Sequence, residues 1–165
     1  MLPTAHIFAT LILWWILRRF LPIDNAMSLA VMIVCGVCPD LDVIYDVSHR
    51  RLITHTFTFW IGVSVLLSIF SPTLAIIAFA SASIHLTMDM LDYKIRPFYP
   101  IIKRWMGLNF VDKYHKREKD TLIQDALFYL KTPPVIVVEA IIDIIGLIIL
   151  VKSFGILYKV LVSGF

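Results

Sequence analysis

Residues 52–88 have the sequence LITHTFTFWIGVSVLLSIFSPTLAIIAFASASIHLTM, which contains no Asp, Glu, Lys or Arg. One crossing of a bilayer takes about 20 apolar residues, so this stretch is long enough to cross twice. Ser71-Pro72 interrupts it near its middle, and a proline disfavours the helical conformation at the residue before it. Because helices satisfy their own backbone polar groups in lipid, the stretch predicts two consecutive membrane-crossing helices.

The whole chain shares this apolar character. It has 165 residues, of which 59% are hydrophobic and only 16% are charged, and its mean hydropathy is +0.85. A soluble domain of average composition is about 25% charged and 45–50% apolar. The composition therefore excludes a disordered chain, a disulfide-stabilised scaffold and an ordinary soluble enzyme. We expect an all-α fold, a polytopic integral membrane helical bundle in one domain.

Further apolar runs complete the predicted bundle. Residues 1–17 and 25–39 contain no charged side chain, and Asp40 directly follows the second of these runs. The only charges within 134–151 are Glu139 and Asp143. We predict about five apolar helices, at 3–20, 25–38, 54–70, 73–93 and 134–153. The second is short enough to be re-entrant instead of crossing. The single domain 1–165 then divides into three parts. These are a core at 1–93, an interfacial segment at 94–133, and a last helix with its tail at 134–165.

The interfacial segment 94–133 mixes basic and aromatic residues, and the apolar spacing within 120–131 predicts an amphipathic helix at the membrane surface. With five crossings, most of the 15 Lys and Arg lie on the side where the chain begins. The opposite side holds Arg18, Arg19, Lys152 and Lys159. The positive-inside rule therefore places the first side in the cytoplasm and predicts a protein of the inner membrane. The basic surface either sets this topology alone or also binds anionic lipid headgroups.

Ionisable residues converge on that same side of the predicted bundle. They are His6, Asp40, Asp42, His49, His55, His85 and Asp89. His85 and Asp89 are four residues apart on one helix, so their side chains are neighbours that can chelate one ion. Histidine with carboxylate and no thiolate suits Zn²⁺, Mn²⁺ or Fe²⁺. Because buried ionisable groups are costly unless they are paired or functional, we favour a metal site over a purely structural polar network.

Glu139 and Asp143 form a second pair with four-residue spacing, within the fifth predicted helix. Unpaired charges inside a membrane helix are costly, so this pair also needs an explanation. It could ligate a further metal ion, orient the histidine ligands, or bind a basic side chain such as Arg96. The sequence leaves these three roles open.

The motifs around these residues resemble those of the membrane-bound metal-dependent hydrolases, the family of the LexA-regulated bacterial inner-membrane protein. The family pattern is an N-terminal His on an apolar helix, a PDxD turn, an HR element before a TH element, and a later HxxxD. Here it is met by His6, Pro39-Asp40-Leu41-Asp42, His49-Arg50 with Thr54-His55, and His85 to Asp89. The resemblance covers about residues 4–92, with a longer gap between the HR and TH elements than in the family's usual form.

That family is in turn distantly similar to zinc-dependent phospholipase C, a helical enzyme whose metals are held by His and Asp side chains. We expect one to three divalent transition-metal ions, with Zn preferred and Mn or Fe as alternatives. The ligands that the similarity implies are Asp40 or Asp42, His49, His55, His85 and Asp89. In this scheme Asp89 bridges two ions and His6 serves the neighbouring metal.

We therefore expect a metal-dependent phosphoesterase that acts on a phospholipid or lipid phosphate at the cytoplasmic face of the membrane. Asp42, or alternatively Asp40, is the candidate general base. Arg50, and after it Arg51, is the candidate phosphate-binding residue. The expected partners are the membrane and a lipid-like substrate, without nucleic acid, and no oligomeric state is predicted. The alternatives are an ester or amide hydrolase with the same metal site, or a non-enzymatic metal transporter or sensor.

Overall fold

The computed structural model of the chain describes residues 3–40, 53–108 and 131–163. Within these ranges the chain forms helices and no β-strand, which confirms the predicted all-α fold. The helices are α1 (Pro3–Leu17), α2 (Ala26–Val37), α3 (Phe57–Ser68), α4 (Pro72–Asp92) and α5 (Pro133–Ser163), and a short 3-10 helix (Ile53–His55) precedes α3. The bounds of the first four helices lie within a few residues of the predicted runs, whereas α5 extends ten residues beyond the predicted 134–153.

Three helices begin at a residue whose side chain caps the first turn. Asn25, Thr56 and Ser71 precede α2, α3 and α4, and each accepts a hydrogen bond from the amide three residues later, at 2.8, 3.2 and 3.4 Å. Such caps satisfy amides that have no partner within the helix. Pro72 occupies the first turn of α4, where its missing N–H is of no consequence. The polar residues between the apolar runs therefore define where the helices start.

Helix α4 is the centre of the bundle, since it packs against α1, α2 and α3, while α1 also packs against α2 and α5. One buried apolar cluster joins Trp14 of α1, Met32 of α2 and Ile77 of α4. Another places Trp60 of α3 against Ala78 of α4. The packing aligns the first residues of α1 and α3 with the last residues of α2 and α4, so these four ends meet.

Two glycines allow α1 to approach its neighbours closely. A Cβ atom at Gly36 of α2 would overlap the Oγ1 of Thr10, which itself donates a hydrogen bond to the carbonyl of His6 at 2.8 Å. A Cβ atom at Gly146 of α5 would lie 2.5 Å from the Phe8 side chain. Small residues let the backbones of membrane helices pack at short range. The position of α1 in the bundle therefore depends on both glycines.

Two of the described helices are long and apolar enough to cross a membrane, namely Pro72–Asp92 and Pro133–Ile156. Three others are apolar but shorter: Thr4–Leu17, Ala26–Asp40 and Phe57–Ser68. A helix of 15 residues such as α1 is about 22 Å long, less than the roughly 30 Å of a hydrocarbon core. The described structure therefore contains fewer full-length spans than the five that the sequence predicts. The predicted interfacial helix 120–131 lies, except for Lys131, outside the described residues.

A folded non-helical loop, residues 93–108, follows α4. Ile95 and Met106 exchange both backbone hydrogen bonds, at 2.9 and 2.8 Å. Gly107 has a φ of +140°, a conformation that favours glycine, and a Cβ atom there would overlap the carbonyl of Tyr93. This part of the predicted interfacial segment 94–133 is therefore an ordered turn against the end of α4.

Candidate metal centre

Four elements bring five of the predicted site residues to one end of the bundle. His6 lies in the first turns of α1, Asp40 in the turn after α2, and His55 at the end of the 3-10 helix before α3. His85 and Asp89 lie one turn apart near the end of α4. The convergence predicted from the alternating directions of the apolar helices is therefore present in the structure.

Four of these side chains form a compact group whose ligand atoms all lie within 4.8 Å of one another, namely Asp40, His55, His85 and Asp89. The Nε2 of His55 is 3.7 Å from Oδ1 of Asp40 and 3.3 Å from Oδ2 of Asp89. The Nε2 of His85 is 3.5 Å from each of the same two oxygens. Both imidazole rings thus face the same pair of carboxylate oxygens.

These separations are compatible with ligands that share an ion. They exceed the 2.7–3.2 Å typical of an N–H···O hydrogen bond. Ligand atoms that lie about 2.0–2.1 Å from a tetrahedral zinc ion are about 3.3–3.4 Å from one another. The four measured distances, 3.3 to 3.7 Å, are close to that value. The residues present therefore fit a divalent metal such as zinc, with two imidazole nitrogens and two carboxylate oxygens as donors.

His6 faces the other oxygen of each carboxylate. Its Nε2 is 3.8 Å from Oδ2 of Asp40 and 3.5 Å from Oδ1 of Asp89. Its ring stacks on that of His85, with centroids 3.9 Å apart and an angle of 24° between the planes. Each carboxylate therefore lies between His6 on one side and the His55 and His85 pair on the other. Both oxygens of each carboxylate therefore face histidine nitrogens.

The tautomer of His85 is determined by the backbone of α2. The Nδ1 of His85 lies 2.8 Å from the carbonyl oxygen of Gly36, which can only accept, so Nδ1 carries a proton. In the neutral ring the lone pair is then on Nε2, which points toward Asp40 and Asp89. A hydrogen bond of this kind typically fixes the orientation of a metal-binding histidine.

The site is almost fully enclosed by the bundle. The side chains of His6, His55, His85 and Asp89 are buried, whereas that of Asp40 is 17% exposed. Within the described ranges, the Nε2 atoms of His6 and His85 are buried and make no hydrogen bond. Buried nitrogens beside carboxylate oxygens are stabilised by a proton or by a metal cation between them. Because Asp40 is the partly exposed member of this cluster, solvent reaches the site from the side of Asp40.

The other predicted site residues lie elsewhere. Asp42, His49 and Arg50 fall within residues 41–52, outside the described part of the chain, as does the second candidate arginine at position 51. Glu139 is buried on α5 and Asp143 is half-buried one turn later, but neither belongs to the compact group of four.

Arg96, named as a possible partner of this acidic pair, lies in the 93–108 loop with its guanidinium 4.2 Å from the centre of the Trp105 ring. The structure therefore gives Arg96 an aromatic neighbour.

The contribution of Gly36 was not predictable from the sequence pattern. Its carbonyl holds His85, and its missing side chain leaves room for Thr10, which bonds the backbone of His6. A glycine within an apolar helix does indicate close packing. Which carbonyl meets which ring, however, depends on the register between α2 and α4, which no local pattern specifies.

Together, the fold and the cluster define a class: a helical membrane protein with a buried His and Asp site able to hold a metal ion. The chain belongs to the YdjM inner membrane protein family, whose model matches residues 1–156. This membership agrees with the predicted inner-membrane location and with the two membrane-length helices. No curated protein and no solved structure matches the chain.

Proposed function

We propose that the chain is a membrane-bound metal-dependent hydrolase, and more specifically a phosphoesterase that acts on a phospholipid or lipid phosphate. One observation carries the proposal: two carboxylates lie among three histidines at the separations expected of metal ligands. The resemblance of the motifs in residues 4–92 to membrane-bound metal-dependent hydrolases supports the same reading. We also propose, from the distribution of Lys and Arg, that the site faces the cytoplasm.

A first ion would be held by His55, His85 and the carboxylates of Asp40 and Asp89. His6, which faces the same two carboxylates, would serve a neighbouring ion, and Asp42 and His49 are further candidate ligands. Zn²⁺ suits this donor set best, with Mn²⁺ or Fe²⁺ as alternatives. When bound, such an ion supplies Lewis acidity, which makes water a better nucleophile near neutral pH and holds phosphoryl oxygens.

The remaining chemical roles are assigned to residues of the PDLD and HR motifs. Both oxygens of Asp40 face histidines, so Asp42 is the better candidate for the base that accepts the proton of the attacking water. Arg50 is the candidate for binding the phosphate, because a guanidinium can bind two phosphoryl oxygens at once. The partly exposed side of Asp40 is where water and a headgroup would enter.

An apolar groove between α3 and α4 supports an amphiphilic substrate. Its volume is about 330 Å³, and it is lined by Ile61, Ser64, Val65, Ser68, Ala75, Ile76 and Phe79. The helices that form it are those that follow His55 and carry His85. Phe79 is six residues before His85, which corresponds to about 9 Å along the helix axis. An acyl chain in this groove would extend along α4, which carries His85 and Asp89, and along α3, which follows His55.

The test is a hydrolysis assay on the full chain in mild detergent, supplied with Zn²⁺, Mn²⁺ or Fe²⁺ and with phosphatidic acid or a mixed phospholipid. We expect wild type to release phosphate or a phosphorylated headgroup, and Asp89→Asn and His55→Ala to lose at least about a hundredfold in rate, as expected when ligand geometry fails. Asp143→Asn is the matched control, since that residue lies outside the compact group. Equal rates in wild type and Asp89→Asn would refute the proposal, and cleavage of carboxylic esters or amides alone would establish the other hydrolase.

A metal transporter is the second candidate, and Glu139 and Asp143 are the observation that favours it. Acidic residues inside a membrane-length helix are typical of ion pathways. Transport predicts zinc uptake into liposomes that Glu139→Gln and Asp143→Asn abolish. Hydrolysis predicts no such uptake.

A further inference from the structure

The 93–108 loop carries positive charge without any compensating acid of its own. Its cations are Lys94, Arg96, Lys103 and Arg104, and no Asp or Glu occurs between Tyr93 and Leu108. The loop directly follows α4, whose last turn contains Asp89, so it lies at the same end of the bundle as the metal-site cluster. An anionic partner at this end of the molecule would find complementary charge.

The same loop exposes large apolar side chains next to its cations. Ile101 is 77% exposed, and Ile102 and Trp105 are also exposed. They flank Lys103 and Arg104, which are exposed as well. Aliphatic, indole and cationic side chains in such proximity are typical of the boundary between headgroups and acyl chains, where each finds a suitable environment. A purely aqueous environment would leave Ile101 and Ile102 unfavourably hydrated.

The loop is held in this conformation by backbone hydrogen bonds to the core. The amide of Phe57 donates to the carbonyl of Pro97 at 2.7 Å, and that of Leu108 donates to the carbonyl of Met90 at 2.7 Å. These anchors lie close in sequence to His55 and Asp89. A surface that is already ordered loses little conformational entropy when it binds.

Arg96 stacks on Trp105, with the guanidinium 4.2 Å from the ring centre. This is a cation–π interaction, so Arg96 already has an aromatic partner within the loop. The other three cations, Lys94, Lys103 and Arg104, are exposed, and Lys103 and Arg104 are the two that adjoin the exposed isoleucines in sequence. This combination is suited to a phosphate group attached to an apolar tail.

We infer that the 93–108 loop is a binding surface for anionic phospholipids, with Lys103 and Arg104 on the headgroup phosphate and Ile101 and Ile102 in the upper acyl region. The interaction does not depend on hydrolysis and does not use the His and Asp cluster. It would hold the end of α4 at the level of the headgroups, on the face where the metal site opens.

The test is lipid retention, measured by native mass spectrometry of the full chain extracted from vesicles of phosphatidylglycerol and phosphatidylcholine in equal amounts. Wild type is expected to retain phosphatidylglycerol preferentially. The double variant Lys103→Gln/Arg104→Gln removes two cations, each worth about fivefold in attraction to an anionic surface, so its preference should fall by at least about tenfold. The matched control is Arg19→Gln/Lys152→Gln, which changes the net charge equally at exposed positions away from the loop.

The exchange Lys103→Arg/Arg104→Lys keeps both charges and should keep the preference, which separates loss of charge from loss of folding. The inference is overturned if wild type retains the two lipids equally, or if the control variant loses the preference as fully as Lys103→Gln/Arg104→Gln does.

Discussion

Helices α4 and α5 are both long enough to cross a membrane, and both carry two ionisable residues four positions apart. In α4 the pair is His85 and Asp89, and in α5 it is Glu139 and Asp143. Half of the most apolar part of α4 is buried within the bundle (50%), compared with 17% of that of α5. The same spacing therefore occurs in two very different environments.

The difference lies in the number of elements that meet each pair. Helix α4 packs against three other helices, and its pair meets His6, Asp40 and His55 from different elements. The described packing of α5 is mainly against α1, and most of its remaining surface consists of exposed aliphatic side chains. A chelating spacing thus becomes a candidate site only where the fold adds further ligands.

Replacing one acid in each pair is expected to give the largest contrast. The oxygens of Asp89 face all three histidines, so Asp89→Asn should abolish high-affinity metal binding, whereas Asp143→Asn should retain it. Metal at about 100 times its Kd stabilises a protein by about 2.7 kcal/mol. Chelator should therefore lower the Tm of wild type and of Asp143→Asn in detergent, and leave the Tm of Asp89→Asn unchanged. An identical response of all three proteins would contradict the contrast.

Truncating one isoleucine in each helix tests the difference in burial. Ile77 of α4 is completely buried and Ile148 of α5 is 49% exposed. Ile77→Ala should lower the free energy of unfolding by about 2 kcal/mol, because it leaves a cavity among packed side chains. Ile148→Ala should change it by less than about 0.5 kcal/mol, as is usual for surface positions. Unfolding in mixed detergent measures both, and equal losses would mean that α5 is packed as tightly as α4.

The close approach of α2 to α1 gives a third prediction. A methyl group at Gly36 would overlap Thr10, so Gly36→Ala should cost about 1–3 kcal/mol of stability. It should also weaken metal binding by about 10–100-fold, because the carbonyl that holds His85 moves. Gly62→Ala on α3 is the control, since nothing lies within 4 Å of its Cβ position, and it should be neutral or slightly stabilising. Tighter metal binding by Gly36→Ala would show that the carbonyl does not support the site.

The smallest effect is expected at Glu139. The residue is buried but lies outside the compact group, so Glu139→Gln, which keeps the shape of the side chain, should change metal affinity by less than about threefold. A loss of about 10–100-fold would instead indicate that Glu139 orients one of the histidines. Isothermal titration of the metal-free protein with Zn²⁺ distinguishes these outcomes.

Much of the architecture could be predicted because the apolar runs and their polar ends are local features. The helices at 3–17, 26–37, 57–68 and 72–92 follow the predicted runs within a few residues, since Asn25, Thr56 and Ser71 cap the starts of the last three. The number of membrane-length helices was predicted less accurately than the positions of the helices. Apolarity identifies a helix that avoids water, whereas its length depends on where the caps fall, and those of α2 and α3 leave only 12 residues each.

The meeting of His6, Asp40, His55, His85 and Asp89 was predictable because antiparallel helices place alternate ends together. For Asp89, a position between His6 and the other histidines is what the family resemblance implied. The same arrangement at Asp40 was not predicted, since it depends on side-chain rotamers. The contact between Gly36 and His85 was not predictable either, because every residue has a backbone carbonyl and the sequence does not show which one a side chain contacts. Local pattern thus identifies the residues, and packing decides their geometry.

Elemental analysis of the purified chain in mild detergent tests whether the cluster is a metal site. Wild type is compared with His85→Ala and Asp89→Ala, each checked for folding by helical content and Tm. A metal site at the cluster predicts about one or two equivalents of a transition metal in wild type and a loss of that metal in both variants. A folded wild type without a transition metal, or variants with the same metal content as wild type, would contradict it and leave a structural polar network as the better explanation.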